Sequence, residues 1–359
     1  MSSCIGSNFK ISVFGESHGE GIGVVIDGAP AGKTLDFEEI LAFMARRAPG
    51  KNKTSTQRKE TDYPFILSGV VNNVTCGTPI CAVIKNSDQH SKDYSSIIGK
   101  ARAGHADYTG FLRYEGYNDI RGGGHFSGRI TAPLVFAGAV AKQILAQSGI
   151  TVGAHISSIK NIHDTPFNPV EVDERLLNEI AAKDMPVIDD NAGLQMQAEI
   201  EKARLDCNSV GGTVECAVVN VPAGIGSPIF RGLENVIAAT VFGIPAVKGI
   251  QFGNGFEAST LTGEQNNDEF YAENGVIKTR TNNAGGILGG ISNGMPIILK
   301  VVFKPTPSIA KEQKTVDFIK CENTTLKIEG RHDPCVVIRA VPVVEAAVAI
   351  AVLDCMLDA

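Results

Sequence analysis

The chain of 359 residues contains no tryptophan, and aromatic residues make up only 6% of it. No unbroken apolar run reaches about 20 residues, which argues against a membrane span. Positive charge is in deficit: 33 Lys and Arg against 39 Asp and Glu leave a net charge of -6. That balance argues against a general nucleic-acid or membrane-surface binder. The start, MSSCIGSNFK, lacks the basic-then-apolar pattern of a secretion signal, so a cytoplasmic location is expected. None of the 8 cysteines forms a C-x-x-C pair, and none of the 7 histidines belongs to an H-E-x-x-H motif. No metal is therefore expected, and the cysteines are expected to be reduced, small buried apolar residues. Low-complexity linkers and short-period repeats are also missing, so a single domain over 1–359 is expected.

Glycine, by contrast, is abundant. The 39 glycines exceed the usual share, and without repetition in the sequence they must answer local backbone needs. Strand-like runs stand at 10–14 and 22–27. A helix follows, opened by Asp36 and Glu39 in a capping-box-like pattern, with Phe37, Ile40, Leu41 and Met44 at helical spacing. It ends in Arg46 and Arg47, where cations suit a helix C-terminus. Strand-like runs at 65–72 and 79–85 precede an almost wholly apolar helix at 131–147, which should be buried. Helices are expected at 171–183, 194–206, 231–242 and 342–357, and strands at 212–221, 246–252 and 295–302. Strands often follow one another with no helix between them. This favours α+β with antiparallel sheet over a doubly wound parallel sheet.

Two familiar patterns fail on context. Gly15-Glu16-Ser17-His18-Gly19 matches the G-x-S-x-G nucleophile elbow, but a Gly-broken segment and a second strand follow where that motif needs a helix. Asp27-Gly28-Ala29-Pro30-Ala31-Gly32-Lys33-Thr34 resembles a phosphate-binding loop with Asp27 in place of its first glycine, which would set a carboxylate against the phosphates. It reads as a turn.

Five other patterns carry more chemistry. Residues 46–59 hold Arg46, Arg47, Lys51, Lys53, Arg58 and Lys59 with no acid before Glu60. They form either a solvated charge run or a loop for a multiply anionic small molecule, since Arg suits bidentate contacts with carboxylate and phosphate. Residues 102–129 gather Arg102, His105, Arg113, Arg121, His125, Ser127 and Arg129 around three consecutive glycines, just before the apolar helix. Glycine lets backbone approach a ligand closely, and a helix start attracts anions. Residues 281–294 place five glycines and three asparagines around three bulky apolar residues, which suits either a flat ligand or a pair of tight turns. Lys304-Pro305-Thr306-Pro307-Ser308 offers a cation and two hydroxyls on a rigid turn. Arg331-His332-Asp333-Pro334-Cys335 sets a cation, an imidazole and a carboxylate side by side.

Taken together, these motifs resemble the chorismate synthase family over nearly the whole chain: GESHG followed by DGAPAG, AGHADYT, the GGG-x-x-S-x-R loop, AVKG at 246–249, AGGILGGIS, KPT-x-S, and RHDPC followed by IRAVPVVEA. The resemblance implies a β-α-β sandwich with antiparallel sheets and a homotetramer. It implies the anti 1,4-elimination of phosphate from 5-enolpyruvylshikimate 3-phosphate to give chorismate, with reduced FMN required and no net redox change. No second nucleotide-binding domain for NADPH is recognisable, so a separate flavin-reducing system is expected. By resemblance, His18 would protonate the departing phosphate, His105 would hold reduced flavin in its anionic form, and Asp333 would act as base. Ser17, Arg47, Lys53, Arg102 and Arg129 would bind substrate. His125, Phe126, Ser127, Ala246, Gly289, Lys304, Pro305, Thr306, Pro307, Ser308 and Arg331 would bind FMN. The chain departs from the family pattern at His125 (usually Arg), Phe126 (usually Ser), Pro245 (usually Asn), Asn283 (often His) and Lys53 (often Arg). Weaker and more pH-dependent FMN binding is expected from His125. A non-catalytic flavin or phosphate binder, or a hydrolase using Ser17, would be the alternatives.

Overall fold

The computed structural model describes residues 3–48, 62–86, 98–328 and 333–358. The first two segments supply a five-stranded antiparallel sheet, in the order Cys4–Ile5, Lys10–Gly15, Gly21–Asp27, Ile80–Lys85, Pro64–Ser68. Ile22, Val24, Ile26, Ile80, Ala82 and Ile84 alternate onto its inner face, as the two-residue period of a strand requires. A second five-stranded antiparallel sheet follows the order Val247–Phe252, Ile297–Phe303, Gly212–Val219, Thr151–Ile159, Ile162–His163.

Eight α-helices accompany the sheets among the described residues: α1 (Phe37–Arg47), α2 (Asp107–Arg113), α3 (Thr131–Ala146), α4 (Glu174–Ala181), α5 (Asp190–Leu205), α6 (Leu233–Phe242), α7 (Gly263–Asn266) and α8 (Val337–Met356). α3 and α8 are apolar nearly all round, so each must be covered on every side. They pack against each other and fill the space between the sheets, α3 meeting Gly21–Asp27 and α8 meeting Thr151–Ile159 and Gly212–Val219. The two helices approach closely at Gly138, where a Cβ would stand 2.2 Å from that of Ala346. The result is a β-α-β sandwich of the α+β class, its single main core running from Phe9 to Cys355.

Charge also ties the layers. Arg46 at the end of α1 donates to Glu345 of α8 at 2.6 and 3.0 Å, and Lys142 of α3 reaches the same buried carboxylate at 2.5 Å. One oxygen of Asp354 accepts the backbone N–H groups of Ser7 (2.8 Å), Asn8 (2.6 Å) and Phe9 (2.8 Å), fastening the first strands to the last helix.

His155, wholly buried in the second sheet, lies 2.8 Å from both Asp164 and Glu215. Burial works to lower the imidazole's pKa, but the bonds to Asp164 and Glu215 override it and hold it above 6.5. Burial likewise works to raise both carboxyls, and the bonds from His155 hold them below 3.8 and 4.5. The His155 contribution is complete below pH 6.5 and fades as pH rises through its folded value. The carboxylate contributions fade as pH falls through theirs. The His155 contribution to stability therefore declines above pH 6.5, by up to about 1.4 kcal/mol per pH unit. His155→Gln removes that component of the slope. Urea unfolding at several pH values between 6 and 9 reads it, and an unchanged slope contradicts the assignment.

Several sequence expectations shift. Thr151–Ile159 carries no periodic signal, yet it is a central strand. It is buried on both faces, under α8 on one side and α4 on the other, so no polar alternation marks it. The 65–72 run breaks at Gly69 (φ +84°), and its end pairs into a separate Val70–Val71/Val74–Thr75 ribbon. α8 begins at Val337 rather than 342, with Pro342 inside the helix. The Asp36 side chain caps α1 through Glu38 and Glu39 N–H, but the box does not close. The Asp36 N–H instead donates to Gln143 of α3, which also donates to Glu39. The cysteines are all free as expected, but only Cys216, Cys335 and Cys355 are buried, and Cys4, Cys76, Cys207 and Cys321 are exposed.

Candidate active site

A cleft of about 590 Å³ opens at one end of the sandwich, between the 102–131 segment, the end of α6 and the strand after it, residues 303–308 and the start of α8. Six cations line it: Arg47, Arg102, Arg129, Lys248, Lys304 and Arg339. Asp333 is the only carboxylate among the described lining residues. An acidic chain thus gathers cations around one cavity, as recognition of a polyanion requires.

The triple glycine forms a partition in this wall. Gly122, Gly123 and Gly124 have φ of +59°, +87° and +54°, a left-handed run that residues with side chains rarely adopt. It also leaves room for two imidazoles. A Cβ on Gly122 would stand 2.2 Å from His18 Nδ1, and one on Gly123 would stand 3.1 Å from His105 Nε2. His18 and Ser17 are buried in the turn between strands Lys10–Gly15 and Gly21–Asp27, with His18 Nδ1 3.2 Å from Ser17 Oγ. The Ser17 N–H donates to Gly124 O at 3.2 Å, which locks this turn against the glycine wall. The nucleophile-elbow geometry is therefore absent, because strand, turn and strand hold Ser17 beneath a wall. The 27–34 segment is likewise a turn, bridged at Thr34 to Val74.

His105 lies beside the cleft with Nδ1 2.7 Å from Asp107 Oδ1. The Nδ1–H donates to that carboxylate, which leaves Nε2 toward Gly123. Asp107 also receives the Arg102 backbone N–H (2.9 Å), its Nε (2.9 Å) and its Nη2 (2.7 Å). Burial works to raise the Asp107 carboxyl, but the hydrogen bonds from Arg102 and His105 override it and hold it well below the usual range. Arg47 and Arg129 converge on a second carboxylate, Asp62, Arg47 Nη1 at 2.5 Å from Oδ2 and Arg129 Nη1 on Oδ1. Asp333 Oδ2 accepts from Arg339 Nη1 at 2.5 Å, and Arg339 Nε donates to Arg47 O at 2.9 Å.

At the opposite wall, Lys304 donates to Gly104 O. Burial lowers its pKa, and nearby Lys248 lowers it further. Thr306 Oγ1 is buried in this wall with no hydrogen-bond partner among the described residues, and Ser308 Oγ accepts from Arg102 Nη1 at 3.4 Å. An unsatisfied buried hydroxyl beside a cation fits an incoming phosphate group.

The structure brings most of the expected residues to one place: Arg47, Arg102, His105, His125, Phe126, Ser127, Arg129, Ala246, Lys304, Thr306, Pro307, Ser308 and Asp333 all line the cleft. Pro245 lines it as well, while Ser17 and His18 stand directly behind its glycine wall. Two flavin expectations are not met in the cleft of this chain. Gly289 lies exposed in the tight turn between Ile287–Leu288 and Ile291–Ser292, where φ of +63° favours glycine, and Pro305 is exposed. Asn283 is engaged with the backbone of Gln265 and Asn266. His125 is turned to the scaffold: Nδ1 donates to Gly15 O at 2.8 Å and Nε2 sits 2.9 Å from Ser3 Oγ. Both nitrogens are engaged, so the pH-dependent flavin contact expected of this ring loses its geometric support. Lys53 and Arg331 lie outside the described residues. Sequence reasoning missed Asp62, Asp107, Lys248 and Arg339. Of these, Asp107 lies within AGHADYT, Lys248 within AVKG and Arg339 within IRAVPVVEA, so each stood in a motif already singled out; Asp62 stood in none.

A family profile described as chorismate synthase matches residues 9–357. A chorismate synthase of Dehalococcoides mccartyi is 47% identical over 359 residues, covering 100% of this chain and 98% of the relative. One from Synechocystis sp. is 45% identical over 359 residues, covering 99% and 98%. A crystal structure of chorismate synthase superposes with a TM-score of 0.78 at 29% identity, over 99% of this chain and 93% of that one. On matches of this length and identity, the chain belongs to the chorismate synthase family.

Proposed function

We propose that this chain is a lyase that converts 5-enolpyruvylshikimate 3-phosphate to chorismate with reduced FMN. The observation that carries the reading is the convergence of six cations, two imidazoles and a carboxylate on one cleft and its glycine wall. The substrate bears two carboxylates and a phosphate. Arg47, Arg102 and Arg129 supply the bidentate donors that such groups need. His18, held behind Gly122, is placed to give a proton to the departing phosphate oxygen, since the missing side chain lets the ring reach the cleft wall. Asp333, oriented by Arg339, accepts the ring proton on loss of the C–H bond.

For FMN, Lys304, Thr306 and Ser308 would hold the phosphate, and Phe126, Ala246 and Pro307 the apolar surfaces. The unpartnered Thr306 hydroxyl supports this fit. Bound in reduced form, FMN supplies electron density that helps the phosphate leave. His105, with its Nδ1 proton held by Asp107, would as the doubly protonated imidazolium donate from Nε2 to the flavin's anionic form. Thr306→Val weakens FMN binding roughly 10- to 150-fold, the loss expected for one charge-assisted hydrogen bond. Quenching of flavin fluorescence on titration checks it, and unchanged affinity contradicts this placement. A homotetramer and an external flavin reductant belong to the same reading, on family resemblance.

Phosphate release from the substrate under anaerobic conditions, with and without photoreduced FMN, tests the activity. Release together with chorismate, and only with reduced flavin, is the expected result. Release without flavin would favour a hydrolase, and flavin binding without release a non-catalytic binder.

A further inference from the structure

Asp62 lies behind the cleft rather than in it. It is 2% exposed and absent from the cleft surface, whereas Arg47 and Arg129, which it contacts, both line that surface. Its two oxygens are divided between them, Oδ2 to Arg47 Nη1 and Oδ1 to Arg129 Nη1. Each arginine is then fixed at two further nitrogens. Arg47 donates from Nε to Thr131 Oγ1 (3.2 Å) and from Nη2 to Gly128 O (3.3 Å). Arg129 donates from Nε to Asn86 Oδ1 (3.0 Å) and from Nη2 to Lys85 O (3.4 Å). Two like charges, 3% and 6% exposed, stand side by side only because an anion separates them. In sequence, Arg47 lies in the basic stretch 46–59 and Asp62 just beyond it, while Arg129 closes the triple-glycine loop, so one carboxylate joins residues from two separate segments, Asp62 and Arg129 standing 67 positions apart.

From this placement we infer that Asp62 is a positioning residue: it holds Arg47 and Arg129 as one preformed twin-guanidinium seat for a single oxyanion of the substrate. The inference rests on the reading of the cleft as a chorismate synthase site. Burial works to raise the Asp62 carboxyl, and the Arg47 and Arg129 charges override it, so the carboxylate stays ionised at neutral pH. Burial also draws Arg47 down, to about 10, which leaves it a cation. The seat thus carries two positive charges against one negative. The surplus faces the cleft, where the substrate brings its anionic groups. Asp62 touches no substrate itself. Its effect is on binding geometry, not on proton transfer.

The test compares Asp62→Asn and Asp62→Glu with wild type in anaerobic steady state, with reduced FMN saturating. Asparagine keeps the shape and one acceptor but faces the second arginine with an N–H group. The expected result is a KM for 5-enolpyruvylshikimate 3-phosphate raised about 10- to 100-fold, the cost of losing one well-made charged contact, with kcat within about 3-fold. Asp62→Glu, which restores the charge, recovers at least half of that loss on a logarithmic scale. In an Arg129→Gln background, Asp62→Asn adds less than about 3-fold, because the pair it held together is already broken. Equal KM for wild type and a folded Asp62→Asn protein overturns the inference. So does a loss confined to kcat, or a full second loss in the Arg129→Gln background. If Asp62→Asn does not fold, the Asp62→Glu and Arg129→Gln proteins decide it: a double variant of these two with strictly multiplicative KM effects overturns the coupling. Inactive wild type would instead defeat the proposed function itself, so the two failures are distinct.

Discussion

Replacing His18 with alanine lowers anaerobic turnover by about 10²- to 10⁴-fold, the range for removing a positioned proton donor, while the protein remains folded. The expectation follows from where the ring sits. It is buried at 3% exposure behind Gly122, where the absence of a side chain lets the imidazole approach the cleft wall. The turn that carries it is fixed by backbone, through Ser17 N–H to Gly124 O and Gly19 N–H to Glu16 O, so the fold does not depend on the ring. His105→Ala is expected to lower turnover to a similar extent, but through the flavin side of the site. Adding excess reduced FMN separates the two, since it relieves part of the His105 defect and none of the His18 defect. Paired measurements of kcat and thermal unfolding check this. A His18→Ala protein with near wild-type turnover, or one that loses its fold, would show the imidazole to be a packing element only.

Glu345→Ala lowers the free energy of unfolding by about 3–5 kcal/mol, the cost of stripping one partner from a buried ion pair. Glu345 is 1% exposed and accepts from Arg46 of α1 and Lys142 of α3, so its loss strands two cations at the junction of three helices. Both cations also stand over the Phe43 ring, at 5.5 and 4.6 Å, which holds them in place after the carboxylate is gone. Burial works to raise the Glu345 carboxyl, and Arg46 and Lys142 override it, holding it below 4.5. The stabilisation is therefore present above that pH and is lost as pH falls through the depressed folded value. Urea unfolding at pH 7, and then at stepwise lower pH below 4.5, reads both halves. A loss under about 1 kcal/mol at pH 7 contradicts the assignment.

Residues whose function depends on local backbone were legible in the sequence. Gly122 to Gly124, Arg102 to His105 and Lys304 to Ser308 advertise themselves through glycine, proline and charge within a few positions, and the structure gathers them round one cleft. The antiparallel α+β class was legible as well, because strands often succeed one another with no helix between them, as Lys10–Gly15 and Gly21–Asp27 do before α1 and Pro64–Ser68 and Ile80–Lys85 do after it. What was not legible is non-local. Asp62 matters because it lies between Arg47 and Arg129, a relation no window of sequence contains. The strand Thr151–Ile159 is hidden for a related reason: helices cover both its faces, so the polar alternation that reveals a half-buried strand never forms. In the 281–294 stretch, glycines that suit a flat ligand equally suit hairpin turns. Gly285, Gly286, Gly289 and Gly290 all have positive φ, and close backbone packing of Gly290 on Ser227 and Gly232 accounts for part of them without a ligand.

The central claim is that this cleft performs an elimination that needs reduced flavin and does not consume it. One anaerobic multiple-turnover measurement addresses it directly. The protein, photoreduced FMN and an excess of 5-enolpyruvylshikimate 3-phosphate are mixed without oxygen, and chorismate, phosphate and the flavin spectrum are followed together. The predicted result is one chorismate and one phosphate per substrate, with the flavin still reduced at the end. Flavin oxidised in proportion to product, or phosphate released equally well with oxidised flavin, would contradict the account.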